Sequence, residues 1–215
     1  MKHIRPKNSA VTPSPKKPHA GAGEIRIIGG RYKRSKLTVP VAQGLRPTGD
    51  RVRETLFNWL GQDLSGWRCI DAFAGSGALG FEAASRGAKD VWLVERDRVA
   101  LQALEANQSR LSMTGIRIAS GDAVALLASQ RGAQWDLIFL DPPFGDATVE
   151  LGVNKVYEQA LKSACDALAS DGLVYLESGL AWSAQTLGPL GFEIYREGKA
   201  GAVRFYLLAK TPTVE

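Results

Sequence analysis

The sequence predicts an α/β fold: an open, doubly wound, mostly parallel sheet with helices on both faces, an antiparallel hairpin at its C-terminal edge and a separate β-hairpin in front. Three observations carry that expectation. Between Arg68 and Glu177 short apolar runs alternate with amphipathic stretches, the signature of parallel strands covered on both faces and joined by right-handed crossovers. The first strand-to-helix junction is rich in glycine. The last two apolar runs are separated only by residues 197–202, too few for a helical crossover.

In chain order, residues 1–23 mix Pro6, Pro13, Pro15 and Pro18 with Lys, Ser, Ala and Gly and offer almost nothing to bury, which predicts a disordered basic tail. Ile25, Ile27 and Ile28, then Gly29-Gly30, then the alternation from Arg31 to Val39 predict a hairpin with a glycine turn, followed by a loop to residue 47. Val52, Leu56, Trp59 and Leu60 fall at helical spacing behind Thr48 or Asp50 as a cap, and Gly61 closes that helix. Strands are expected at 69–73, 91–95, 116–120, 137–140 and 173–177, with helices at 79–86, 97–111, 123–129 and 148–168 between them. Strands 192–196 and 203–209 form the edge hairpin, and residues 211–215 are a tail.

The chain has 215 residues, 45% apolar and 23% charged, enough for one domain with a sizeable core. Two cysteines, Cys69 and Cys165, exclude a disulfide framework and a multi-cysteine zinc site, so a reduced, cytoplasmic setting is expected. No secretory h-region and no uncharged stretch of membrane-spanning length occurs, so neither a signal peptide nor a membrane partner is expected. Both histidines, His3 and His19, lie in the tail, and no metal is expected. The net charge of +5 conceals a division: residues 1–53 carry 13 Lys/Arg against only Glu24 and Asp50, and the rest is net acidic. Arg31, Lys33, Arg34, Lys36, Arg51 and Arg53 are therefore the candidate contacts to a polyanion, with a solvated basic face as the alternative.

Ligands of open α/β sheets bind outside the carboxyl ends of the strands, and four such positions are polar. The first, running from Asp71 through Phe73 to Gly75, Gly77 and Gly80, satisfies a glycine-loop fingerprint for a nucleoside cofactor. Glu95, twenty residues beyond Gly75, is placed to accept ribose hydroxyls. Asp71 favours S-adenosylmethionine over a dinucleotide, because a carboxylate there attracts an ammonium and repels a pyrophosphate. Asp122 is placed either to accept from an adenine amino group or to cap the next helix. The fourth is Asp141-Pro142-Pro143-Phe144: two prolines without N–H groups hold the chain extended and point carbonyls into the site, where a base amine can donate to Asp141 and the Pro142 carbonyl and stack on Phe144.

These motifs, with Gly121-Asp122-Ala123, resemble those of class I S-adenosylmethionine-dependent methyltransferases acting on exocyclic amines, whose sheet is Rossmann-like and seven-stranded. Arg26-Ile27-Ile28-Gly29-Gly30, Gly44-Leu45-Arg46-Pro47-Thr48 and Asp50 to Leu60 narrow the resemblance to the RsmD family of bacterial guanine-N2 methyltransferases of small-subunit (16S) ribosomal RNA, over about residues 24–210. The resemblance implies that Gly75 and Gly77 pack against the methionine part of the cofactor. It also implies that Glu95 holds the ribose, that Asp122 and Ala123 meet the adenine, and that Arg46, Pro47 and Thr48 lie over the methionine end. It implies the guanine target, a methyltransferase domain over 48–210 and a ribosomal RNA or particle partner for a monomeric enzyme. The alternatives are a DNA amino-methyltransferase, a non-catalytic assembly factor and a nicotinamide-dependent dehydrogenase. They are disfavoured, in turn, by the lack of a target-recognition insertion, by the complete acceptor tetrapeptide and by the lack of a proton-transfer residue matched to a hydride acceptor.

Overall fold

The computed structural model describes residues 23–40, 48–143 and 150–211. Residues 1–22 of the basic tail, Arg46, Pro47 and Phe144 lie outside the described residues, and Gly23, expected to end the tail, instead opens the first strand opposite Val39. A two-stranded antiparallel hairpin, β1 (Gly23–Arg26) and β2 (Lys36–Val39), precedes helix α1 (Asp50–Trp59). There follow β3 (Arg68–Asp71), α2 (Ala78–Ser85), β4 (Asp90–Glu95), α3 (Arg98–Leu111), β5 (Ile116–Ser120), α4 (Ala123–Ser129), β6 (Trp135–Leu140), α5 (Glu150–Ala167) and β7 (Leu168–Ser178). The chain closes with the short helix α6 (Ala184–Leu187), a 3₁₀ turn (Gly188–Leu190), β8 (Phe192–Ala200) and β9 (Val203–Lys210).

Seven strands form one sheet in the order β5-β4-β3-β6-β7-β9-β8, parallel except for β9, which is antiparallel to both its neighbours. The chain winds outward from β3 to β5, then returns to lay β6 on the other side of β3. That reversal creates a crevice at the carboxyl ends of β3 and β6. The expected edge hairpin is present, but its strands are longer, because the reversal needs only Gly201-Ala202, with Gly201 at φ +62°.

The central strands alternate between two cores. Cys69, Leu137, Phe139, Tyr175 and Leu207 pack on the face covered by α1, α2, α3 and the N-terminal hairpin. Ile70, Ile138, Leu140, Val174, Leu176 and Leu208 pack beneath α4 and α5 on the other. Side chains at 71, 141 and 177 continue the first series, so the alternation that builds the core also sets the face on which the strand-end acids stand.

Two local expectations are corrected. Residues 31–34 form a turn rather than the start of a strand, because the first two backbone amides there bond to α2 and only Arg34 N–H reaches across the hairpin, to the Ile27 carbonyl (2.8 Å): Arg31 N–H donates to the Ser85 carbonyl (2.7 Å) and Tyr32 N–H to Ser85 Oγ (2.9 Å). Gly30 has φ +71°, and a Cβ on it would lie 1.9 Å from the Ser85 carbonyl oxygen, so only glycine allows this approach. Helix α1 is preceded by Gly49 and has no side-chain cap, since Thr48 turns toward Asp141 and Asp50 toward Arg53.

Candidate active site

The glycine segment runs from the end of β3 into α2. Gly75 and Gly77 both have positive φ, +51° and +75°, which makes glycine the favoured residue at each. A Cβ on Gly77 would lie 2.6 Å from Leu104 and 2.7 Å from Phe81, so this residue answers to the core as well as to any ligand. A Cβ on Gly80 would lie 2.1 Å from Leu93, and its N–H donates to Asp71 Oδ2 at 3.0 Å. The third glycine thus lets α2 pack closely on β3 and β4.

Asp71 is buried. Removal from water pushes its carboxyl up to about 7, with nearby Glu95 adding to the rise and the Gly80 N–H opposing it. Phe73, partly buried, packs against the α4–α5 core. Glu95 at the end of β4 accepts from Gly75 N–H through one oxygen (2.8 Å) and from Arg96 and Asp97 N–H through the other (2.8 Å each). Its carboxylate therefore ties the glycine loop to the β4 terminus, and two oxygens with several lone pairs keep capacity for further donors. Asp122 caps α4, accepting from Ala125 N–H at 2.9 Å, while remaining exposed, with Ala123 buried behind it. Carboxylate acceptors thus stand at the ends of β3, β4 and β5, in that order along one edge of the sheet.

Asp141 follows β6 directly, with Pro142 buried and Pro143 exposed. The Thr48 hydroxyl donates to Asp141 Oδ2 at 3.4 Å, bringing the start of α1 against the proline segment. Burial raises the Asp141 carboxyl well above the usual carboxylate range, and Glu177 and Asp71 raise it further, against the Thr48 bond. Sequence reasoning overlooked Glu177. Leu140 and Leu176 are paired in the parallel β6–β7 ladder, so Glu177 stands one strand away from Asp141 on the same face. Its side chain is buried and accepts from the Tyr175 hydroxyl at 2.9 Å, while the Tyr157 hydroxyl donates to its main-chain carbonyl at 3.3 Å. The signal was available: a glutamate closing the apolar run Leu173–Leu176 ends a strand next to the one that ends in Asp141.

At the hairpin Arg31, Lys33, Arg34 and Lys36 are exposed, with Lys36 ion-paired to Glu24 at 2.7 Å, and Arg51 is exposed on α1. Arg53 is not available to a polyanion. It is fully buried, bonded to Asp50 (2.6 Å), Glu82 (3.4 Å) and the Arg26 carbonyl (2.9 Å), because it falls on the inward face of α1 beside Val52 and Leu56. The Glu82 carboxylate also accepts from Ile28 N–H (2.8 Å), Gly29 N–H (2.7 Å) and Arg86 (2.9 Å), and so binds the hairpin to α2. Among the described residues no group of acidic, histidine or cysteine side chains is arranged to hold a metal, and no helix is long and apolar enough to cross a membrane.

A family model described as Conserved hypothetical protein 95 matches residues 25–209. Ribosomal RNA small subunit methyltransferase D of Escherichia coli K12 is 42% identical over 193 residues, 89% of this chain and 93% of that protein. The chain belongs to the RsmD methyltransferase family. The Haemophilus influenzae protein of the same name is 37% identical over 86% of this chain and 93% of its own length. The solved structure of Escherichia coli yhhF covers 87% of this chain and 98% of its own with a TM-score of 0.69 and 37% identity. The seven-stranded sheet, the glycine loop and the proline segment described above are thus features of an RsmD-family methyltransferase.

Proposed function

We propose that this chain transfers the methyl group of S-adenosylmethionine to the exocyclic N2 amine of a guanine in small-subunit ribosomal RNA, acting as a cytoplasmic monomer. In this reading residues 48–210 are the methyltransferase domain, residues 24–47 with Arg31, Lys33, Arg34, Lys36 and Arg51 grip the RNA, and residues 1–23 are an accessory basic tail. The observation that carries it is the meeting, at one switch point of the sheet, of the Asp141-Pro142-Pro143 acceptor segment with the acidic strand ends of β3 and β4.

Bound S-adenosylmethionine supplies an electrophilic sulfonium methyl group. Asp71 would face its ammonium, Glu95 its ribose, and Asp122 with Ala123 its adenine, while Gly75 and Gly77 let the backbone approach, and Arg46, Pro47 and Thr48 cover the methionine end. The guanine amine is a weak nucleophile because its lone pair is delocalised into the ring. Asp141 and the Pro142 carbonyl would accept from its two N–H groups, favouring a pyramidal nitrogen with its lone pair free. Pro143 stiffens the segment, and Phe144 offers a stacking face. As positive charge grows on nitrogen these acceptor bonds strengthen, an effect worth about 3 kcal/mol per preorganised group. Asp141, raised by burial, is suited to hold the amine proton released afterwards.

Labelled S-adenosylmethionine offered separately to small-subunit particles, naked ribosomal RNA and DNA tests the reading. Label is expected in small-subunit RNA as N2-methylguanine. Label confined to DNA, or absent from all three, would refute it.

A further inference from the structure

The acceptor segment explains how an exocyclic amine is held but not why it should be guanine's, since adenine and cytosine also present a planar amine. Next to that amine, however, the bases differ. Guanine carries a second donor, N1–H, beside N2, whereas adenine and cytosine carry a ring nitrogen with a lone pair beside their amines. A site that offers a second acceptor adjacent to the first selects guanine.

Glu177 is placed to be that acceptor. Asp141 and Glu177 each come one residue after the paired Leu140 and Leu176, so the two carboxyl groups project side by side from adjacent strands on the α1 face of the sheet. Thr48 lies beside both. The Tyr175 hydroxyl fixes Glu177 through one oxygen, and the Tyr157 hydroxyl fixes the strand end through the Glu177 carbonyl. A carboxylate accepts more bonds than these, so the group is oriented without being saturated. Among the described residues neither Asp141 nor Glu177 has an arginine or lysine partner, and both are pushed above the usual carboxylate range by burial. Two adjacent acids without a cation, Glu177 buried and Asp141 half-buried, cost stability. A base edge with two neighbouring N–H donors would relieve that cost, and one presenting a lone pair would add to it.

We propose that Glu177 is a base-selecting residue, its carboxylate accepting the N1–H of the target guanine while Asp141 and the Pro142 carbonyl hold the N2 amine. This rests on the guanine-N2 reading above and adds a residue to it.

The test replaces the target guanosine in the RNA by 2,6-diaminopurine riboside, which keeps the N2 amine but turns N1 into an acceptor. The parent protein should methylate the diaminopurine RNA with kcat/KM lower by about tenfold or more, since a buried polar group then faces an unmatched partner. Glu177→Gln, whose amide can donate to N1, should bring the ratio of the two kcat/KM values toward one, with unchanged affinity for S-adenosylmethionine. A purely structural role for Glu177 would lower both rates together and leave the ratio as in the parent, which would overturn the proposal. Equal use of both RNAs by the parent would overturn it without any variant. Failure of the parent to methylate the guanine RNA at all would instead refute the underlying function.

Discussion

At the residue scale the site is a set of acids held at strand ends for different purposes. Asp71 is buried at the end of β3, away from any cation among the described residues. Because burial lifts it to about 7 in the folded protein while an exposed aspartate titrates near about 4, the folded state holds a proton that the unfolded chain has lost. This group's penalty is absent below about pH 4, grows as pH rises toward 7, and is complete above it. Asp71→Asn, which can still accept from Gly80 N–H, should therefore be more stable relative to the parent at pH 8 than at pH 4, by about 1–3 kcal/mol, in denaturant unfolding. The same variant should bind S-adenosylmethionine at least about tenfold more weakly in calorimetry at pH 8. A stability difference independent of pH would rule out the raised titration. Glu95→Ala should weaken cofactor binding by about 1–3 kcal/mol, and because Glu95 also anchors the Gly75, Arg96 and Asp97 amides, it should lower the melting temperature as well. An unchanged cofactor affinity in a folded variant would deny it the ribose role.

At the element scale, a buried carboxylate on α2 is the charged centre of the contact that holds the N-terminal hairpin, beside the Ser85 and Asn107 bonds and the packing of Ile25, Ile27 and Leu37. Glu82 receives Arg53 and Arg86 together with two backbone amides, so Glu82→Gln leaves the buried Arg86 without a counter-charge and Arg53 with Asp50 alone, and should cost about 3–5 kcal/mol in chemical denaturation. A loss under about 1 kcal/mol would mean that the hairpin is held by packing and by its Ser85 and Asn107 bonds, without need of the Glu82 charge. This clamp was the least legible part of the sequence. The α/β alternation from Arg68 to Ser178 could be read because buried parallel strands leave continuous apolar runs, and the acids at 71, 95, 122 and 141 stood out at their ends. Arg53 could not be read, because a charged residue on a helix beside Val52 looks solvent-facing until its partner Glu82, distant in sequence, is placed against it. Glu177 could be read as the acid closing the Leu173–Leu176 run, but not as a neighbour of Asp141. Its meaning comes from the β6–β7 register, which no local pattern states.

At the scale of the whole molecule, residues 1–53 are strongly basic and the rest of the sequence is net acidic, and the described hairpin presents Arg31, Lys33 and Arg34 to solvent without ion pairs among the described residues. Neutralising these three should weaken RNA binding and reduce the salt slope by up to about 0.7 for each phosphate left without its cation, more than deletion of residues 1–23 does. An unchanged affinity and slope would place the RNA elsewhere. That the β6 end holds the amine during methyl transfer is best probed by single-turnover methylation of small-subunit RNA with Asp141→Ala, alongside the variant's cofactor affinity. The expected rate is lower by about two to three orders of magnitude, with S-adenosylmethionine bound nearly as in the parent. Methylation near the parent rate would contradict the acceptor role and reduce the Asp141-Pro142-Pro143-Phe144 segment to a stiff loop.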